Sequence, residues 1–282
     1  MRRVKAHLKE HLRNYISGGI VLAYSGGVDS SVLLAVLSEM NKETPFRLRA
    51  VIFDSAFQTG AGLTEAFERA MRSGVDVRKE KLDQLAIAGI SDNPEERCYL
   101  CKRGLFARLL EIAKRDGFAT VMDGTNADDA HTYRPGLRAL EESGVVSPLK
   151  DAGLTKTDIR AIAREMNLNV AERPAAPCLA TRFPYGAALT ESALRRVANG
   201  EAVIRAMLPE NTSFRLRVHG DTARVEVTPE EFGAIVEHRL KIVSELKKLG
   251  YRYITLDLEG FRSGSMDALV KQSHASINQS VL

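Results

Sequence analysis

Apolar and polar positions change rhythm repeatedly along this chain, and each change marks an element. Residues 3–15 carry apolar side chains at helical spacing on a basic background, which predicts an amphipathic helix. "GIVLAY" (19–24) is an unbroken apolar run, as expected of a strand buried on both faces of a parallel sheet. "SSVLLAVLSEM" reads as a helix, "RLRAVIFD" as a second strand, and "TEAFERAMRSG" as a helix closed by Gly74. "VDVRKEKL" is a weaker third strand. Residues 93–117 predict a long helix with Asn93 as N-cap, Pro94 in the first turn and Gly117 at the end. "ATVMDG" is a further short strand, and "TKTDIRAIAREMNL" a helix behind a threonine cap. Strands alternating with helices predict an α/β fold built on an open parallel sheet.

The rhythm changes after "RPAAPC". A helix over "ESALRRVANGEAVIRAML" precedes two runs of period two, "SFRLRVH" and "ARVEVTP", which predict a hairpin turning at His219, Gly220 and Asp221. A helix over "PEEFGAIVEHRLKIVSELKKLG" and a strand over "YRYITLDLEG" follow. The order predicts a smaller α+β domain. The expected divisions are 1–175, 176–268 and a polar tail over 269–282.

Composition narrows the class. The chain has 282 residues, 44% hydrophobic and 27% charged, as in an ordinary globular protein. It has no apolar run near the roughly 20 residues of a membrane span, and the basic N-terminal segment lacks the apolar core of a signal peptide. A cytoplasmic location is expected. The net charge of +4 suits a small anionic ligand better than a long nucleic acid.

"YSGGVDSS" (24–31) lies between the first strand and its helix, where open α/β sheets bind ligands. Gly26 and Gly27 let the backbone approach a ligand. Successive N–H groups at a helix start form an anion nest, to which Ser25, Ser30 and Ser31 add hydroxyls. Asp29 is a candidate magnesium ligand. The stretch is not a Walker loop; it resembles the pyrophosphate loop of the ATP pyrophosphatase superfamily, which cleaves ATP between the α and β phosphates to adenylate an oxygen. The resemblance implies a fold of the adenine nucleotide alpha hydrolase type. It also implies nucleotide contacts by Ala23, Phe53 and a second turn, "DGTNADD" (123–129), with Gly124 and Thr125. Asp128 and Asp129 are candidates for assisting magnesium, against the plain reading of a capped helix start.

Three cysteines remain: Cys98 and Cys101, spaced C-x-x-C, and Cys178. A redox pair needs no third thiol, and structural zinc normally takes four ligands. Three cysteines on a 4Fe-4S cluster leave one iron open for an extra sulfide. Unrelated buried thiols are the plain alternative, though "EERCYLCKRG" is polar for a core helix.

"PCLATRFPYG", "RCYLCKRGLF" and "TLDLEGFRSGSM" together resemble the LarE family of ATP-dependent sulfurtransferases, over about residues 3–268. The resemblance implies that ATP and magnesium adenylate the carboxylates of pyridinium-3,5-biscarboxylic acid mononucleotide. Sulfur then displaces AMP, giving the thiocarboxylate precursor of the nickel-pincer cofactor of lactate racemase. Family members differ in sulfur source. In one type a lone cysteine matching Cys178 is consumed; in the other, a C-x-x-C and that cysteine hold a 4Fe-4S cluster. Cys98, Cys101 and Cys178 match the second type. The resemblance further implies a homo-oligomer and a sulfide donor.

Residues 181–270 hold ten arginines and three lysines, and arginine is the better clamp for phosphate or carboxylate. Arg215 and Arg217 share a strand face by period two, and Arg182 stands four residues past Cys178. These three are the candidate substrate ligands, with Glu201 and Asp221 orienting them. Tyr99 is expected to pack beside the substrate ring, and His219 to be structural. The competing readings are a cluster-dependent tRNA sulfurtransferase, an amidating synthetase and a nucleotide-binding redox sensor.

Overall fold

The computed structural model describes residues 2–131 and 136–267; the tail expected over 269–282 lies outside the described residues. Contacts divide the chain into two compact units, Met1–Ile87 with Glu96–Ala176, and Ala88–Glu95 with Pro177–Leu282.

In the first unit, α1 (Arg2–Leu12) and a short 3-10 turn lead into β1 (Ile20–Ala23). Then come α2 (Val28–Glu43), β2 (Leu48–Asp54), α3 (Gly60–Arg72), β3 (Asp76–Lys81), α4 (Arg97–Asp116) and β4 (Thr120–Met122). Three helices close the unit: α5 (Gly136–Ser143), α6 (Pro148–Asp151) and α7 (Lys156–Glu165). The strands form a parallel sheet in the order β3-β2-β1-β4. This α/β architecture is the one the alternation predicts.

The continuous apolar run of β1 has a simple cause. Ile20 and Leu22, with Ala50 and Ile52 of β2, join the helical cluster of Leu33, Leu37 and Ile159 on one face. Val21, Val51 and Phe53 join Phe106, Leu109 and Ile112 of α4 on the other. Neighbouring residues point to opposite faces, and helices cover both. The edge strand β3 stays polar and part-exposed.

In the second unit, α8 (Glu191–Arg205) precedes β5 (Phe214–His219) and β6 (Thr222–Val227), which pair antiparallel. After α9 (Phe232–Glu237) and α10 (Arg239–Lys248), β7 (Tyr253–Leu256) adds parallel to β6. Gly200 lets α8 lie close on this sheet: a Cβ there would meet Leu216 at 2.4 Å and Leu246 at 3.2 Å.

Several boundaries differ from expectation. The long helix starts at Arg97 rather than at Pro94. Asn93 is fully buried with φ 51, and its side-chain amide donates to the Pro184 carbonyl at 2.7 Å instead of capping a helix. α3 begins at Gly60 because Thr59 accepts a capping bond from the Gly62 N–H at 3.2 Å. The helix expected over 229–250 breaks at His238, between α9 and α10.

Candidate functional site

The turn after β1 is shaped by its glycines. Gly26 sits at φ 76, and a Cβ there would lie 2.4 Å from that of Ala66. Arg69 of α3 donates to the Gly26 carbonyl at 3.0 Å, fixing the turn from outside. Gly27 is the N-cap of α2 and provides no side-chain cap. The first N–H groups of this helix therefore meet the turn without a capping oxygen of their own, the arrangement that favours a bound anion. The hydroxyls of Ser25 and Ser30 are 3.1 Å apart, and Ser30 also reaches the Gly27 carbonyl at 3.2 Å. Ser31 is turned away and bonded to the buried Tyr24 hydroxyl at 3.0 Å.

The second turn lies directly against this one. A Cβ on Gly124 would meet the Ser30 backbone nitrogen at 3.0 Å. The buried Asp123 accepts from the Thr125 N–H at 3.1 Å and from the hydroxyls of Thr125 and Ser147. Asn126 joins the two candidate magnesium carboxylates: its amide donates to Asp29 at 3.4 Å and its backbone N–H to Asp129 at 3.1 Å. Asp128 instead accepts the Lys156 backbone N–H at 2.7 Å. Ala23 ends β1 opposite Val51, and Phe53 is buried on β2.

Lys156 is the residue that motif reading missed. Its ammonium is ion-paired with Asp29. It occupies the first turn of α7, which Thr155 and Asp158 close with a reciprocal capping box. A lysine at a helix start opposes the macrodipole, and that misfit was the available signal.

Cys98 and Cys101 lie one turn apart on α4, half-buried. The Gln84 amide donates to the Cys101 sulfur at 2.9 Å. Tyr99, between them, is held by α5: its hydroxyl donates to Glu142 at 2.8 Å, and the Arg138 guanidinium covers its ring at 3.7 Å. Among the described residues no three His, Cys, Asp or Glu side chains form a metal-holding group. The partly buried thiol pair with an N–H donor at sulfur nevertheless suits thiolate ligation. The linked carboxylates of Asp29 and Asp129 likewise suit a magnesium ion that takes its remaining ligands from water and phosphate.

In the second unit, Cys178 opens a 3-10 turn over Leu179–Arg182. Arg182, Arg215, Arg217, Glu201 and Glu226 are all buried. Arg182 holds Glu201 through two bonds of 2.8 and 2.9 Å, and Arg217 holds Glu226 at 2.9 Å. Arg224 and Ser265 also reach Glu226, at 3.0 and 2.8 Å. Three buried arginines thus share the interior with two glutamates. Burial, with the neighbouring charge of Arg182, lowers the Arg215 guanidinium to about 10; burial also lowers Arg217. Asp221 is not part of this group. It lies in the exposed β5–β6 turn, paired with Arg252 at 3.7 Å. His219 is an exposed residue at the end of β5, held below its ordinary pKa by partial desolvation and by the charge of Arg224.

No model of a protein family matches the chain. It is 35% identical over 260 residues to pyridinium-3,5-bisthiocarboxylic acid mononucleotide synthase of Lactiplantibacillus plantarum, covering 91% of this chain and 92% of that protein. An uncharacterised protein of Synechocystis is 33% identical over 93% of this chain and 97% of its own length. A more distant likeness, 28% over 63% of this chain and 61% of the relative, is to a glutamine-hydrolysing GMP synthase chain of Thermoplasma volcanium. No helix among the described residues is long and apolar enough to cross a membrane.

Proposed function

Because this chain belongs to the pyridinium-3,5-bisthiocarboxylic acid mononucleotide synthase (LarE) family, within the ATP pyrophosphatase superfamily, we propose that it transfers sulfur, at the expense of ATP, to the carboxylates of pyridinium-3,5-biscarboxylic acid mononucleotide. The observation that carries this reading is the 35% identity over 91% of the chain. A match of that length takes in both the glycine turn and the Cys178 segment.

The glycine turn receives the phosphates of ATP on the N-terminal N–H groups of α2, with the hydroxyls of Ser25 and Ser30 beside them. A substrate carboxylate oxygen bonds to the α-phosphorus, and the bond to the β-phosphate oxygen breaks. Pyrophosphate remains on the turn, where Lys156, transferring from Asp29, meets its charge. Asp29 and Asp129 would hold a magnesium ion, which neutralises charge between phosphates. Arg215, on the strand face it shares with Arg217 and over the ring of Phe261, meets the anionic mononucleotide. A sulfur nucleophile then bonds to the activated carbonyl carbon, and AMP leaves with the electron pair of the broken C–O bond. Cys98, Cys101 and Cys178 would hold a 4Fe-4S cluster, which supplies a sulfide when bound. The chain is then a cytoplasmic enzyme that takes sulfide from a donor and works as a homo-oligomer.

The test uses anaerobically prepared protein with ATP, magnesium, the mononucleotide and sulfide. Pyrophosphate and thiocarboxylate are expected together, with iron and acid-labile sulfide in the protein. Cys178→Ser is expected to keep pyrophosphate release and lose the thiocarboxylate. Absence of substrate-dependent pyrophosphate release in the wild type overturns the reading. Thiolation of transfer RNA in place of the mononucleotide would establish its rival.

A further inference from the structure

Arg182 and Arg217 look like substrate ligands by spacing, but their hydrogen bonds point elsewhere. The Arg182 guanidinium has two working edges. Nε and Nη2 form a fork on the two oxygens of Glu201, at 2.8 and 2.9 Å. Nη1 faces the other way. It donates to the carbonyls of Pro177 at 2.9 Å and Cys178 at 3.3 Å, and to the Thr181 hydroxyl at 2.9 Å. Arg217 repeats the plan. Its Nε is on Glu226 at 2.9 Å, and its Nη1 donates to the Thr181 carbonyl at 2.8 Å. Only 3% of Arg182 and 4% of Arg217 is exposed.

We propose that Arg182 and Arg217 are positioning residues: braced by Glu201 and Glu226, they clamp the backbone of the 177–182 turn and so fix where Cys178 presents its sulfur. The inference rests on the reading that Cys178 belongs to a sulfur-transfer site, and it takes Arg182 and Arg217 out of the set of direct substrate ligands. Three features support it. The Cys178 carbonyl is fixed three times over, by the Thr181 N–H at 3.1 Å, the Thr181 hydroxyl at 2.9 Å and Arg182. Each clamp is tied back to a regular element. Glu201 stands on α8 and accepts the Leu216 N–H of β5 at 3.1 Å, while Glu226 stands on β6 with Arg224 and Ser265 upon it. A lysine at either position would keep the charge facing the glutamate, yet its single nitrogen cannot also serve the turn on the opposite side. The rigid two-edged guanidinium is therefore what the position requires.

Placement matters for chemistry at this cysteine, because a misplacement of about 1 Å at a reacting centre can cost on the order of 100-fold in rate. Arg182→Lys and Arg217→Lys test the clamp while preserving the buried ion pairs. Hydrogen exchange of the Thr181 and Phe183 amides, read by mass spectrometry, is expected to quicken by about tenfold or more, the signature of a locally opened turn. In thiolation assays kcat should fall by about 10- to 100-fold, with the KM for the mononucleotide unchanged. Arg215→Ala should do the reverse, raising KM for the mononucleotide.

Unchanged exchange in both lysine variants overturns the proposal, as does a raised KM with kcat intact, which would make these arginines substrate ligands. If a lysine variant does not fold, the charge-free pair Arg182→Met with Glu201→Gln takes its place under the same criteria. Exchange is read without turnover, so a wild-type protein that makes no thiocarboxylate would defeat the functional reading and leave the clamp to be judged on its own.

Discussion

The turn after β1 and the arginine group of the second unit are both suited to negative charge, and by different means. At the turn the charged side chains, Asp29 with Lys156, are paired with each other. The turn presents backbone N–H groups and hydroxyls, and its shape comes from a glycine at φ 76 and from the helix it begins. The second region is the converse. Its backbone is strand, helix and one 3-10 turn, and its charge comes from three buried guanidiniums against two carboxylates. A backbone nest is specified within eight consecutive residues. A buried charge group is specified by residues spread from 182 to 226, each of which is costly to remove alone.

That difference can be broken by substitution. Glu226→Gln should do the most damage. It strips the carboxylate from beneath Arg217 and Arg224 in a site with no exposure, where an uncompensated buried charge costs about 3–5 kcal/mol. Urea unfolding would measure it, and a loss well below that range would mean that the region is not held together by charge. Gly26→Ala should cost less, about 1–3 kcal/mol of strain in a left-handed turn. Because the added methyl meets Ala66, it should also impair pyrophosphate release; normal release with a strained turn would show that the nest is not where phosphate is held. His219→Gln should have the smallest effect, visible only in the pH dependence. His219 titrates below its ordinary 6.5 in the folded protein, so the unfolded chain takes the proton first. Stability from this group is intact above about 6.5 and falls as pH drops through that value. The variant should lose that slope between about pH 7.5 and 5 in urea midpoints, and an unaltered slope would place its origin elsewhere.

Legibility in the sequence followed the same division. The sheet and the glycine turn could be read because their determinants are local: an apolar run, glycines at the turn, hydroxyls within reach. Arg182 was visible as a residue four places past a cysteine, but its geometry was not, because its partner Glu201 lies nineteen residues away on another helix. Asn93 resembled a cap by its neighbour Pro94, yet carbonyls some ninety residues later engage its amide. Lys156 passed unnoticed inside a well-capped helix start, where only its sign was out of place. Asp221 drew attention by standing at a turn beside charged strands, and its exposed side chain pairs with Arg252.

The bare N-cap of α2 reaches beyond catalysis. A helix that begins on glycine forgoes only about a few tenths of a kcal/mol relative to a serine or aspartate cap, and here the hydroxyls nearby are bonded to one another. On the proposed reading a phosphate of ATP would meet the first N–H groups of α2, and anything that binds only the native form raises its population by mass action. On that reading, nucleotide supply would also act on folding, since protein without ATP would lack the stabilisation that binding contributes.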